Sequence, residues 1–160
     1  MQKDERERLI GVYRDGYRAV VDALQGATDD QLDARPRAGA WTAREIVHHL
    51  ADSEMTAAIR LRLLLVEDRP EIRGYDQDAF VSRLPYDRPH EASLMAFRYA
   101  RECTAQILER LSDEQWLRAG THTEVGAFSV ERWLETYAPH AHNHARQILQ
   151  ARAESQKPKA

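Results

Sequence analysis

The chain has 160 residues, a net charge of −3, and 42% hydrophobic against 31% charged residues. That is enough chain for one domain with its own core. It has no basic run to hold nucleic acid or an anionic surface, no apolar stretch near the roughly 20 residues that span a bilayer, and no signal-peptide core in its opening MQKDERERL. The expectation is a cytoplasmic protein with neither nucleic-acid nor membrane partners.

Lys3 to about Gln25 predicts a first helix, with Leu9, Tyr13, Tyr17, Val20 and Leu24 on one face and Gly26 ending it. Asp29 to Ala40 reads as a connector with one turn at Asp29 to Leu32, stopped by Pro36 and Gly39, its arginines solvated. A second helix runs from about Thr42 to Val66. Thr42 with Glu45 three residues on makes a capping box, and Ile46, Leu50, Ala57, Leu61 and Leu64 form the inward stripe. Glu67 to His90 is a long crossover, broken by Pro70, Gly74, Pro85 and Pro89, with one short helix at Asp76 to Leu84. Its Tyr75, Phe80 and Tyr86 cap either a pocket or the bundle end.

A third helix is expected from about Pro89 to Leu111, lined by Leu94, Phe97, Thr104, Leu108 and Leu111. The single Cys103 falls at helical spacing from Ala100, Ile107 and Leu111 and reads as a packed core thiol. A short helix at Asp113 to Leu117 buries Trp116, and Ala119 to Phe128 suits a tight hairpin. Ser129 opens the last helix, which runs to about Ala153, with a kink expected at Pro139. The domain is thus residues 1–153 followed by a polar tail, 154–160. The fold class is all-α: a four-helix bundle with a long connection between its second and third helices.

Three histidines stand out on these helices. Trp133, Tyr137, His140, His144, Ile148 and Ala151 share one face of the last helix, so His140 and His144 stack one turn apart. His49 lies on or at the edge of the inward face of the second helix, while His48 and His142 point elsewhere. If the two helices are neighbours, His49, His140 and His144 converge on one divalent metal, with positions left open for water or substrate. The other reading makes them hydrogen-bonded core residues. His122 with Glu124 is a weaker ligand pair on a loop.

A polar stripe, His49, Ser53, Thr56 and Arg60, continues down the second helix. Arg60 either binds a substrate carboxylate or, more simply, pairs with Glu67 or Asp78. Asp52, one turn from His49, either orients that ring, acts as a base, or is an ordinary exposed aspartate.

These motifs resemble the DinB/YfiT-like superfamily of four-helix metalloproteins. The likeness rests on Trp41 at a helix start with His49 eight residues on and Leu50 after it, on His140-x-x-x-His144 followed by Gln147, and on the stretch Ile59 to Phe80. Glu54 departs from the pattern, because the closest relatives often carry a histidine there. The resemblance implies His49, His140 and His144 as metal ligands, zinc first and nickel second. It also implies a homodimer and a small-molecule substrate. Its activities are metal-dependent hydrolysis or, alternatively, transfer of a low-molecular-weight thiol such as bacillithiol or mycothiol to an electrophile. A non-catalytic dimeric metal-binding bundle is the reading from another class.

Overall fold

The computed structural model describes residues 1–155. In chain order it contains α1 (Lys3–Leu24), α2 (Asp29–Asp33), α3 (Ala43–Val66), β1 (Glu71–Ile72), α4 (Gln77–Arg83), α5 (Glu91–Leu108), α6 (Asp113–Trp116), β2 (Ala119–His122), β3 (Gly126–Ser129), α7 (Val130–Tyr137) and α8 (His140–Ser155). Local chemistry sets several of these boundaries. Thr42 and Glu45 exchange the two bonds of a capping box at the start of α3, as Thr28 with Gln31 and Ser112 with Gln115 do for α2 and α6. Gly26 takes φ 70°, which releases the chain from α1.

The bundle is formed by α1, α3, α5 and the α7–α8 pair. Its main helix contacts are α1 with α8, α8 with α3, α3 with α5 and α5 with α1. The consecutive long helices α1 and α3 therefore sit diagonally, and α3 lies beside α8 as a shared histidine site requires. The core falls into two clusters. One gathers Leu9, Tyr13, Leu61, Leu64, Trp133 and Leu134. The other packs Ile46, Val47 and Leu50 of α3 against Ala141, Ala145 and Ile148 of α8. Trp133 also donates its indole N–H to the Ala57 carbonyl at 2.8 Å, tying α7 to α3. Leu61, Leu64 and Trp133 are fully buried, each removal from water favouring the fold by about 2 kcal/mol or more.

The expected hairpin is present as β2–β3, antiparallel with Thr121 opposite Ala127. The sequence did not announce its third strand, β1, which pairs in parallel with β2 through Glu71 and Thr121. This small sheet pins the first half of the crossover.

Two helix expectations need correction. The last helix is two helices, because Pro139 has no amide hydrogen to offer the carbonyl of Glu135 and the helix breaks between Tyr137 and His140. Cys103 is exposed, not packed. The inward side of α5 is set by Phe97, Arg101, Thr104 and Leu108, all buried, and a residue two positions from Arg101 points about 200° away. Of the polar tail, residues 154 and 155 belong to α8 and the rest lies outside the described residues.

Candidate metal centre

The capping box at Thr42 fixes where α3 begins, and His49 follows two turns in, 2% exposed. Its ring packs on Trp41, with centroids 4.7 Å apart, and faces His144 at 4.8 Å and His140 at 5.5 Å. His140 is the first residue of α8 and His144 lies one turn later. Their Nε2 atoms approach to 3.2 Å. One ligand nitrogen from each of the three rings falls within 4.8 Å of the others. The Nε2 of His49 is buried with no hydrogen-bond partner among the described residues.

Second contacts settle which nitrogen faces inward. Gln147 Oε1 lies 2.8 Å from His144 Nδ1. An amide oxygen only accepts, so Nδ1 carries the hydrogen and Nε2 presents its lone pair to the cluster. Tyr75, from the crossover, places its hydroxyl 3.5 Å from His49 Nδ1 and stacks edge-on against Phe80. Burial drives its phenol up to about 12, so it stays protonated.

Electrostatics keep the imidazoles neutral. Burial, and then the neighbouring His144, lower His49 to about 3. Burial followed by His144 and His49 lowers His140 to about 2. Burial also lowers His144, against the opposing bond from Gln147. Neutral, convergent imidazoles are the form that ligates metals. Two nitrogens held by one tetrahedral zinc sit about 3.3 Å apart, close to the 3.2 Å between His140 and His144. The buried His49 Nε2, unpartnered among the described residues, is available as a third donor. These residues fit a divalent ion.

The DinB superfamily model matches residues 13–148. The chain belongs to the DinB superfamily. It is 36% identical over 139 residues to a candidate metal-dependent hydrolase of Oceanobacillus iheyensis, covering 87% of this chain and 81% of that protein. It is 33% identical over 153 residues to YfiT of Bacillus subtilis, also described as a candidate metal-dependent hydrolase, covering 94% and 85%. The solved structure of that YfiT, reported as having an unusual four-helix bundle topology, superposes with a TM-score of 0.88 at 31% identity, over 94% of this chain and 87% of the other.

The remaining candidates of this DinB member lie outside the histidine cluster. His48 is buried on α5's side of α3, where its Nε2 donates to the Arg88 carbonyl at 3.1 Å and its Nδ1 accepts from Ser93. His142 donates to the Val12 carbonyl of α1 at 3.0 Å. His122 is buried beside Phe128 and accepts from the Glu124 amide, and among the described residues the pair belongs to no cluster of three or more ligand groups. Asp52 is half-buried and receives the Tyr86 hydroxyl, so it neither orients His49 nor stands free in solvent.

Arg60 pairs with neither Glu67 nor Asp78. It donates to the Tyr137 hydroxyl at 2.8 Å and to the Arg73 carbonyl, under the Tyr75 ring. The crossover curls back over α3 through β1, so a carbonyl reaches Arg60 before either acid does. Arg35 of the connector is likewise engaged, with Glu45 at 2.6 Å, rather than simply solvated.

Sequence reasoning missed one polar group that matters here. Arg101 and Glu54 are each 1% exposed and form an ion pair at 3.0 Å, joined by the Tyr13 hydroxyl on Glu54. The signal was available: Arg101 follows Phe97 by four residues and precedes Thr104 by three, on the inward face of α5.

Of the three histidines, His144 also borders a cleft of about 490 Å³ between the connector at Arg37 and Trp41, the start of α4 at Gln77, and Gln147 and Gln150 of α8.

Proposed function

We propose that this DinB protein is a metal-dependent enzyme acting on small molecules, a hydrolase in the first instance, with His49, His140 and His144 as its metal ligands. The observation that carries the reading is the buried His49 Nε2, which has no hydrogen-bond partner among the described residues, on a ring that packs against two further neutral imidazoles. A divalent ion held there supplies Lewis-acid polarisation of a bound substrate and acidifies a bound water. Zinc suits an all-imidazole set and nickel is the alternative.

The chain's own residues do the rest. Gln147 fixes the tautomer of His144. Trp41 packs on the His49 ring and Tyr75 brings its hydroxyl to His49 Nδ1, which orients that ring. The cleft beside His144 admits a molecule of modest size. Neither Asp52 nor Arg60 is given a proton-transfer role, because the first is bound by Tyr86 and the second by Tyr137 and the Arg73 carbonyl. A homodimer completes the reading on family resemblance alone, with a cytoplasmic location as its default.

The test is a substrate panel on metal-stripped, zinc-restored and nickel-restored protein. It contains chromogenic esters and amides, and an aryl halide offered with low-molecular-weight thiols. Ester or amide turnover that returns with metal and is lost in His49→Ala establishes the hydrolase. Turnover only with a thiol present replaces it with the transferase. No turnover at full metal loading leaves a non-catalytic metal-binding bundle.

A further inference from the structure

The three proposed ligands are not held alike. His144 has Gln147 behind it, and His49 has Trp41 and Tyr75 against it. Among the described residues, the only hydrogen-bond contact of the His140 ring is with His144 itself. Its ring also packs against Tyr137, edge-on at 6.0 Å, and His49 at 5.5 Å. Tyr137 is itself the last residue of α7, so the aim of His140 depends on how the backbone is held across the break. His140 is the first residue of α8, directly after the break at Ala138 and Pro139.

A helix break leaves carbonyls without amides ahead of them, and proline is a usual cause of a sharp kink. Contacts on either side of the break then refine the angle between α7 and α8. Arg101 is placed to do so. Its Nη2 donates to the carbonyl of Tyr137, the last residue of α7, at 2.7 Å. Its Nε donates to the Tyr13 carbonyl of α1 at 2.6 Å, and its Nη1 to Glu54 of α3 at 3.0 Å. The guanidinium also stacks over the Tyr13 ring, 4.0 Å from its centroid. One rigid fork thus joins α5 to α1, α3 and the broken end of α7.

On the far side of the break, Gly16 of α1 lets α8 close in. A Cβ there would stand 2.7 Å from the Ala141 Cβ and 3.2 Å from Arg101 Cζ. The break is gripped from both ends.

We propose that Arg101, anchored by Glu54, is a positioning residue for the metal site: it clamps the Pro139 break at the angle that aims His140 at His49 and His144. Tuning of the site then lies in a buried ion pair between α5, which carries none of the three histidines, and α3. This rests on the three-histidine reading above.

The experiment measures zinc affinity by competition with a chromophoric chelator, and the visible spectrum of the cobalt(II) form, on four variants beside the wild type. Arg101→Lys keeps a cation for Glu54 but lacks the fork that reaches both carbonyls. Pro139→Ala restores the missing amide and relaxes the break with Arg101 intact. Leu64→Ala, fully buried in the other core cluster, is the control for lost stability. His49→Ala tests the site itself.

The expected result is a loss of zinc affinity on the order of tenfold to a hundredfold, with an altered cobalt spectrum, in both Arg101→Lys and Pro139→Ala. Leu64→Ala melts earlier yet binds zinc as the wild type does. Should Arg101→Lys not fold, Glu54→Gln, which loosens the anchor of Arg101 and leaves the proline in place, takes its part with the same two readouts. Wild-type affinity and spectrum in Pro139→Ala, or in a folded Arg101→Lys, overturn the clamp while leaving the site reading intact, provided His49→Ala has lost zinc. A wild type that takes up no zinc overturns both.

Discussion

His140 and His144 face each other through their Nε2 atoms at 3.2 Å. Only one hydrogen fits between two such nitrogens, and His144 already carries its hydrogen on the other side, toward Gln147. The pair is thus arranged around a lone-pair-rich gap that His49 closes from α3. Several measurable consequences follow from how that gap is kept neutral, oriented and packed.

The metal-free protein loses stability as pH falls from about 6.5. His49 and His140 sit at about 3 and about 2 in the folded chain, below the ordinary value of 6.5 to which they return on unfolding. Between those limits the unfolded chain takes up protons that the folded rings refuse, so acid favours unfolding. Each such ring adds a slope approaching about 1.4 kcal/mol per pH unit across the window. Urea melts of metal-free protein from pH 7 to pH 4 should show this decline. The decline is shallower in His49→Ala, which removes one of the rings. A parallel decline in the two proteins would mean that His49 is not held neutral by folding.

Gln147 is expected to bear on the proposed metal site more than on the fold. It is exposed on α8, and among the described residues its side-chain hydrogen bond is to His144 Nδ1. Gln147→Ala is expected to weaken metal binding on the order of tenfold to a hundredfold while moving the metal-free unfolding free energy by less than about 0.5 kcal/mol. Gln147→Glu keeps an acceptor at the same place and restores most of the affinity. Chelator competition beside a urea melt separates the two effects.

Two glycines of α1 give opposite results. Gly16→Ala puts a methyl group 2.7 Å from Ala141 and costs about 1–3 kcal/mol as α1 is forced off α8. At Gly11 a Cβ meets nothing within 4 Å, so Gly11→Ala stabilises the helix by up to about 1 kcal/mol. Thermal melts of the pair check the close approach directly.

The bundle and its histidines were legible because both are written in helical period. Thr42 with Glu45 marks a helix start within a few residues of sequence, and His140 with His144 falls on the same stripe as Trp133 and Ile148. What was hidden depends on contacts far apart in the chain. Strand β1 is two residues long and finds its partner at Thr121, so it carries no alternating pattern of its own. Arg60 was expected to seek an acid, but the crossover delivered a carbonyl and a tyrosine hydroxyl instead. Arg101 and Glu54 are charges on inward faces of different helices. Each looks misplaced alone and makes sense only once α5 and α3 are packed together. Cys103 shows the converse: its apolar neighbours suggested burial until the true inward face of α5 was fixed by Phe97 and Arg101.

The central claim is that His49, His140 and His144 hold one divalent ion. Metal content of tag-free protein by mass spectrometry tests it most directly, in the wild type and in single alanine variants at His49, His140, His144, His48 and His142. The account predicts close to one zinc or nickel per chain in the wild type, lost at His49, His140 and His144. His48→Ala and His142→Ala keep the metal, since those rings bond to Ser93 and Val12 instead. A wild type without metal after reconstitution with both ions would contradict the account, as would equal loss across all five variants.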